Sequence, residues 1–291
     1  MCIVAKLSDG REFNMSIVLK IANGPHVCFS KVLEKANIVL NNAILADMYT
    51  EPWKQRFTYS AFKVMNDVAR IAGVFGFSKI NVTRSGLGFY PLVDWLISKP
   101  INDIKIVDDV FDGVKVRLYY PTTSEEKLIP AVVYFHGGGW VFLDADKYDH
   151  VMKRLSSTTK FVIIFVEYRK APEHIFPAAF DDCVKATLYL LQKGEDHRVD
   201  TKRIGLAGDS AGGNLAMAVS LKIGEQQLPP LRFQVLIYPT LQALDLTLSS
   251  FQEFDVPERQ EMYPCHKRVD DILAKYVRLW SFKLHCFVCQ Q

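Results

Sequence analysis

The sequence predicts an α/β fold: a mostly parallel sheet with helices on both faces. Three observations carry that expectation. Residues 103–239 alternate short β-branched runs with helical patterns. A glycine-rich turn follows one of these runs and opens directly into a helix. Composition is that of a globular chain, with 49% hydrophobic and 23% charged residues in 291, enough apolar material for a core and too much for disorder.

Residues 1–102 read as an N-terminal helical segment, of which 1–45 are atypical; EPWKQRFTYSAFKVMNDVARIAGVFGF at 51–77 sets apolar residues at helical spacing. The α/β core is expected over 103–240. Its strands are DIKIVDDV, VKVRLYY and AVVYFH in succession, then FVIIFVEY, RIGLAG and FQVLIY, with helices at about 146–158, 178–193 and 211–224 filling the later crossovers. Pro172 and Pro177 punctuate the entry to the second helix. After Pro239 the alternation stops, and 241–291 read as a partial cap and divergent tail with one helical stretch at about 267–282.

Several function classes are disfavoured. The formal charge of +3 comes without a basic cluster interleaved with aromatics, so nucleic acid is not an expected partner. No window is apolar enough to span a bilayer, since 31–48 is cut by Lys31, Glu34, Lys35, Asn37, Asn41 and Asn42. The first apolar run stops at Lys6, with Asp9, Arg11 and Glu12 following, which does not read as a signal peptide. Six cysteines lack the density of a disulfide framework. Cys286 and Cys289 form a C-x-x-C without a second ligand pair, and no metal is expected.

Two motifs carry chemistry. Gly208-Asp209-Ser210-Ala211-Gly212 matches G-x-S-x-G, a pattern that chance supplies in roughly one chain in ten of this length. Its context sharpens it: RIGLAG is a strand ending at the motif and AGGNLAMAVSLKI a helix beginning after it. A sharp strand-to-helix turn exposes the serine hydroxyl above a helix N-terminus, where developing negative charge is favoured. The competing readings are a plain glycine-rich β–α turn and a phosphate cradle, but neither G-x-G-x-x-G nor a P-loop lysine is present. Upstream, His136-Gly137-Gly138-Gly139-Trp140 follows the strand AVVYF. Consecutive glycines free backbone N–H groups to hold a developing oxyanion. Gly137 and Gly138 are expected to donate from this loop and Ala211 from the elbow, with His136 holding the loop by a side-chain hydrogen bond.

HGGGW and GDSAGG, with EYRKAPEHIFPAAFDD between them and LIYP after, resemble the hormone-sensitive-lipase-like (GDXG) family of α/β-hydrolases. EPWK at 51–54, FDGVKVRLY at 111–119 and YPTLQALDLTLSSFQE at 238–253 are most similar to its arylacetamide deacetylase branch. The likeness covers about 104–255, extends more weakly to 51–103 and 267–282, and does not reach 1–45.

The resemblance implies an α/β-hydrolase fold, here lacking its last strands. It also implies a serine carboxylic-ester hydrolase forming an acyl-enzyme on Ser210, acting on small ester or lipid-like substrates without cofactor or metal. Gly137, Gly138 and Ala211 would line the oxyanion hole, Asp209 would orient the glycine loop, and 168–177 would brace the elbow. The branch carries a membrane anchor facing the endoplasmic reticulum lumen, and residues 1–45 are unlike it. The family's D-x-L-R-D-like and HGF-like motifs do not occur, so the triad acid and base are unassigned. His266, His285, Asp270 and Asp271 are the tail's candidates, while His150 and His174 lie in segments of structural role.

Two functions follow: a working esterase, or a catalytically weak or inactive form binding hydrophobic ligands. In the second, Ser210 would react slowly with a fluorophosphonate. The strand FQVLIYP is expected at the sheet edge, where it would promote self-association. Of the triplets Asn14-Met-Ser16 and Asn81-Val-Thr83, only the second is expected to carry a glycan in a lumenal protein.

Overall fold

The computed structural model describes residues 3–6, 12–15, 64–65, 67–89, 91, 100–226, 228 and 231–241. Near the N-terminus, β1 (Ile3–Lys6) and β2 (Glu12–Met15) pair antiparallel, with Ile3 opposite Met15 and Lys6 opposite Glu12. Both strands fall within 1–45, the part of the N-terminal segment that stands apart as atypical. Strands of four residues are too short for a period to register, although Asp9-Gly10 between them is turn chemistry. Residues 67–74 are helical as expected, and α1 (Lys79–Leu87) follows, its first turn capped by Ser78, whose hydroxyl accepts from the Asn81 N–H. Asn81 itself is exposed.

Six strands form the main sheet: β3 (Ile104–Phe111), β4 (Val114–Pro121), β5 (Ile129–Phe135), β6 (Val162–Val166), β7 (Val199–Asp209) and β8 (Gln234–Ile237). Their spatial order is β3-β4-β6-β5-β7-β8. The pairings of β6 with β5, β5 with β7 and β7 with β8 are parallel. β3 and β4 are an antiparallel hairpin, and β4 meets β6 antiparallel. The hairpin turns on Asp112 and Gly113, both at positive φ (47° and 82°), as a two-residue Asp-Gly connection requires.

Three crossover helices cover the sheet: α2 (Ala145–Thr159), α3 (Ala178–Lys193) and α4 (Ala211–Glu225). α2 starts at Asp144, whose carboxylate accepts from the Lys147 N–H, and ends at Lys160 in the left-handed region. It packs through fully buried Met152 against Val132, Tyr134, Ile163 and Phe165. On the other face, Leu190 of α3 and Leu215 and Val219 of α4 meet Val133, Phe135, Ile164 and Leu206. Each such buried side chain contributes about 1.5–3 kcal/mol by leaving water. Both faces of β5 and β6 are thereby dry, which is why these strands read as unbroken apolar runs.

Among the described residues no helix is long and apolar enough to cross a membrane, and no group of three potential metal ligands converges. Cys183 is free and buried; the other cysteines, the 267–282 helix and most of 241–291 lie outside the described residues. The topology sets β5 and β7 side by side and parallel. Their carboxyl ends therefore release the two glycine-bearing loops next to each other, the usual place for a site in a parallel sheet.

Candidate active site

Ser210 is the single residue between β7 and α4, with φ 51° and ψ −116°. A non-glycine residue at positive φ is costly and persists only where its surroundings enforce it. Here Ser210 N–H donates to Ile237 C=O at 2.9 Å, and Ser210 C=O accepts from Asn214 N–H at 3.1 Å and Thr240 N–H at 3.2 Å. The turn is tight because β7, α4 and β5 converge on it. A Cβ on Gly212 would lie 1.9 Å from Phe135 O, and one on Gly208 would lie 2.3 Å from Gly212 O. Those two glycines of the motif are thus close-approach positions.

The glycine loop leaves β5 directly against this turn. Its peptides are trans, so each C=O and the N–H of the same peptide point opposite ways, and fixing one fixes the other. His136 C=O accepts from the Tyr168 hydroxyl at 2.7 Å. The N–H of that peptide, on Gly137, consequently points the other way, to Asp209 Oδ1 at 3.0 Å and to the Tyr148 hydroxyl oxygen at 3.1 Å. Next, Gly137 C=O is held 2.7 Å from His136 Nδ1, directing the Gly138 N–H away. Gly138 C=O then accepts from Val141 N–H (3.1 Å) and Phe142 N–H (2.9 Å), directing the Gly139 N–H away. Gly138 and Gly139 reach φ 104° and 62°.

This geometry corrects one expectation. The Gly137 N–H is engaged by the Asp209 carboxylate and is turned away from any oxyanion role. Among the described residues the Gly138 and Gly139 N–H groups have no partner, and Ala211 presents the first N–H of α4.

Asp209 is buried and accepts from Tyr134 at 2.9 Å, Tyr148 at 2.9 Å and Gly137 N–H. Burial pushes its carboxyl above the ordinary value, and those donors pull against that rise. His136 is sealed between Tyr168, stacked on it nearly parallel with ring centres 4.2 Å apart, and Phe165 at 5.3 Å. Burial, helped by the charge of Lys170, lowers its imidazole to about 3 against the pull of the Gly137 carbonyl. The ring is therefore neutral. Nδ1–H donates to Gly137, and Nε2 is buried without a partner among the described residues.

The loop of 168–177 is tied to α3 by Arg169, whose N–H and guanidinium both bond Asp182. It is tied to the glycine loop by Ala171 N–H, 2.9 Å from Trp140 O. Arg84 of α1 reaches into the same place, donating to Val141 O, Ala171 O and Glu173. A cavity of about 350 Å³ opens there, lined by Arg84, Leu87, Val141, Leu143 and Glu173; Ser210 is not part of its wall. Sequence reading missed Arg84, Tyr134, Tyr148 and Gly139 as parts of this arrangement. His150 lies on α2 and His174 lines the cavity. Among the described residues no histidine hydrogen-bonds to Ser210, and His266, His285, Asp270 and Asp271 lie outside them.

The chain is similar to known proteins in sequence and fold. Residues 132–280 match the family described as alpha/beta hydrolase fold. Neutral cholesterol ester hydrolase 1 of Rattus norvegicus is 35% identical over 216 residues, covering 72% of this chain and 52% of that protein. Arylacetamide deacetylase of Oryctolagus cuniculus is 32% identical over 246 residues, 81% of this chain and 58% of that protein. The chain thus spans about half the length of the curated relatives it matches. Among solved structures, EstE1, a thermophilic and thermostable carboxylesterase cloned from a metagenomic library, superposes with a TM-score of 0.60 at 32% identity, over 68% of this chain and 67% of that one.

Proposed function

Because this chain belongs to the α/β-hydrolase fold family, whose members similar to it are ester hydrolases, we propose that it is a serine carboxylic-ester hydrolase with Ser210 as nucleophile. The observation that carries the reading is the strained Ser210 elbow, clamped beside a loop whose second and third glycine amides have no partner among the described residues. Ser210 Oγ attacks the acyl carbon of an ester and loses its proton to a base. The carbonyl oxygen becomes negative and is received by the N–H groups of Gly138, Gly139 and Ala211. Collapse, with the base returning that proton to the leaving oxygen, expels the alcohol and leaves the acyl group on Ser210, and water then releases the acid by the same steps.

The scheme needs neither metal nor cofactor. Its base and acid are not assigned among the described residues. Relatives named for cholesterol esters and arylacetamides support esters of small or lipid-like acids as the substrate class.

The test is direct. A fluorophosphonate probe should modify Ser210 alone, as read by peptide mass, and Ser210→Ala should lose both the label and hydrolysis of short p-nitrophenyl esters. Loss of a catalytic serine costs on the order of 10⁶ in kcat. Hydrolysis that survives Ser210→Ala, or a Ser210 that stays unmodified after prolonged exposure, refutes the assignment.

A further inference from the structure

We propose that Arg84, which stands outside the alternating core, is a positioning residue for the oxyanion site: it sets the direction of the Gly139 N–H through linked peptides. The consequence for catalysis rests on the ester-hydrolase reading above; the geometric claim does not.

Arg84 uses its whole fork. Nε and Nη2 donate to Val141 O at 3.1 and 2.9 Å, and Nη2 also reaches Ala171 O at 2.7 Å. Nη1 and Nη2 grip Glu173 at 2.5 and 3.0 Å. The Val141 carbonyl belongs to the same peptide as the Phe142 N–H, and that N–H donates to Gly138 O at 2.9 Å. Gly138 O in turn shares its peptide with the Gly139 N–H. The sequence of contacts is therefore guanidinium, Val141–Phe142 peptide, Gly138–Gly139 peptide, and finally an N–H without a partner among the described residues.

A second route reaches the same carbonyl. Ala171, held through its C=O by Arg84, donates its N–H to Trp140 O at 2.9 Å. The peptide of Trp140 O carries the Val141 N–H, which bonds Gly138 O at 3.1 Å. Both donors to Gly138 O thus trace back to one side chain, the first through shared peptides and the second across the Ala171 Cα. Aligned peptides polarise one another, so a cation at the head of the chain also strengthens the donor at its end. Lysine cannot substitute, because a point charge cannot bond two carbonyls and a carboxylate in one plane.

The experiment compares Arg84→Met and Arg84→Lys in the 291-residue chain, with ¹⁵N labelling and with ester kinetics. In Arg84→Met we expect the Gly139 and Phe142 amides to shift in resonance and the Phe142 amide, which donates to Gly138 O, to exchange with solvent about tenfold faster or more, while the Ala211 amide stays as in the unmodified chain. We expect kcat to fall about tenfold to a hundredfold, within what an impaired oxyanion donor costs, with KM within about twofold. Added guanidinium should restore part of kcat by entering through the adjoining cavity, and methylammonium should not. An unchanged Gly139 amide in folded Arg84→Met overturns the proposal whether or not the chain hydrolyses esters. Perturbed amides with unchanged kcat overturn the catalytic link. Should Arg84→Met fail to fold, Arg84→Lys is read by the same criteria. Hydrolysis that persists in Ser210→Ala removes the esterase assignment and leaves the amide result to decide the role of Arg84.

Discussion

Asp209 touches no reacting atom in the proposed scheme, yet it fixes the first glycine peptide and lies next to the nucleophile. Its carboxyl is raised by burial, so the folded chain holds this proton more tightly than the unfolded chain does. Between the ordinary carboxylate value, about 3.9, and the raised folded value, the native state binds a proton that the unfolded state has released. Stability from this group is therefore complete below the ordinary value and declines as pH rises through the raised one. Asparagine keeps an acceptor for Tyr134 and for the Gly137 N–H but has no charge to bury. Thermal melts of the parent chain and Asp209→Asn from pH 4 to 7.5 should show the parent losing ground to the variant as pH rises. A difference that moves in the opposite direction would mean that the three donors outweigh desolvation and that the ionised carboxylate is the preferred buried form.

At the scale of elements, α4 contains two kinds of glycine, and they separate packing from propensity. Gly212 stands where a methyl group would meet the backbone oxygens of Phe135 and His136 at 1.9 and 2.5 Å, contacts that no rotamer change relieves. Gly212→Ala is expected to cost on the order of 3 kcal/mol or more and to displace β5 from the elbow. Gly224, in the last turn, has nothing within 4 Å of the same methyl. Gly224→Ala should stabilise the chain by about 0.5–1 kcal/mol, raising Tm by about 1–4 °C in a scanning melt. A loss at Gly224, or tolerance at Gly212, would break the argument. The helices and core strands were legible because each is longer than its own period and is bounded by glycine, proline or a polar turn. RIGLAG misses the first residues of β7, because 199–202 are polar and mixed and join β5 only past an irregularity at Ile129. β1 and β2 were illegible for the opposite reason, being shorter than any window that could reveal them.

For the whole molecule, local pattern identifies strands but not their neighbours. The order β3-β4-β6-β5-β7-β8 depends on contacts far apart in sequence, as do the Arg84 bonds to Val141 and Ala171. The glycine motifs marked the site, whereas the direction of the Gly137 N–H depends on Tyr168, Tyr148 and Asp209 from other elements, and that of the Gly139 N–H on Val141 and Phe142. β8 lies beside β7, and its register says which of its groups face outward. Leu206 N–H donates to Phe233 O and Ser210 N–H to Ile237 O. In a parallel pair one residue's N–H and C=O face the same side, so 233, 235 and 237 address β7. Gln234 and Leu236 then direct their backbone groups away from it, and β7 is the one partner of β8 among the described residues. Such a row is a template for a second strand. We propose that copies of this chain associate there. Amide exchange should then slow at Gln234 and Leu236 as concentration rises, with Val235 and Ile237 unchanged, and sedimentation should show heavier species over the same range. Protection at Gln234 and Leu236 that is already complete in dilute monomer would show instead that the chain covers this edge itself.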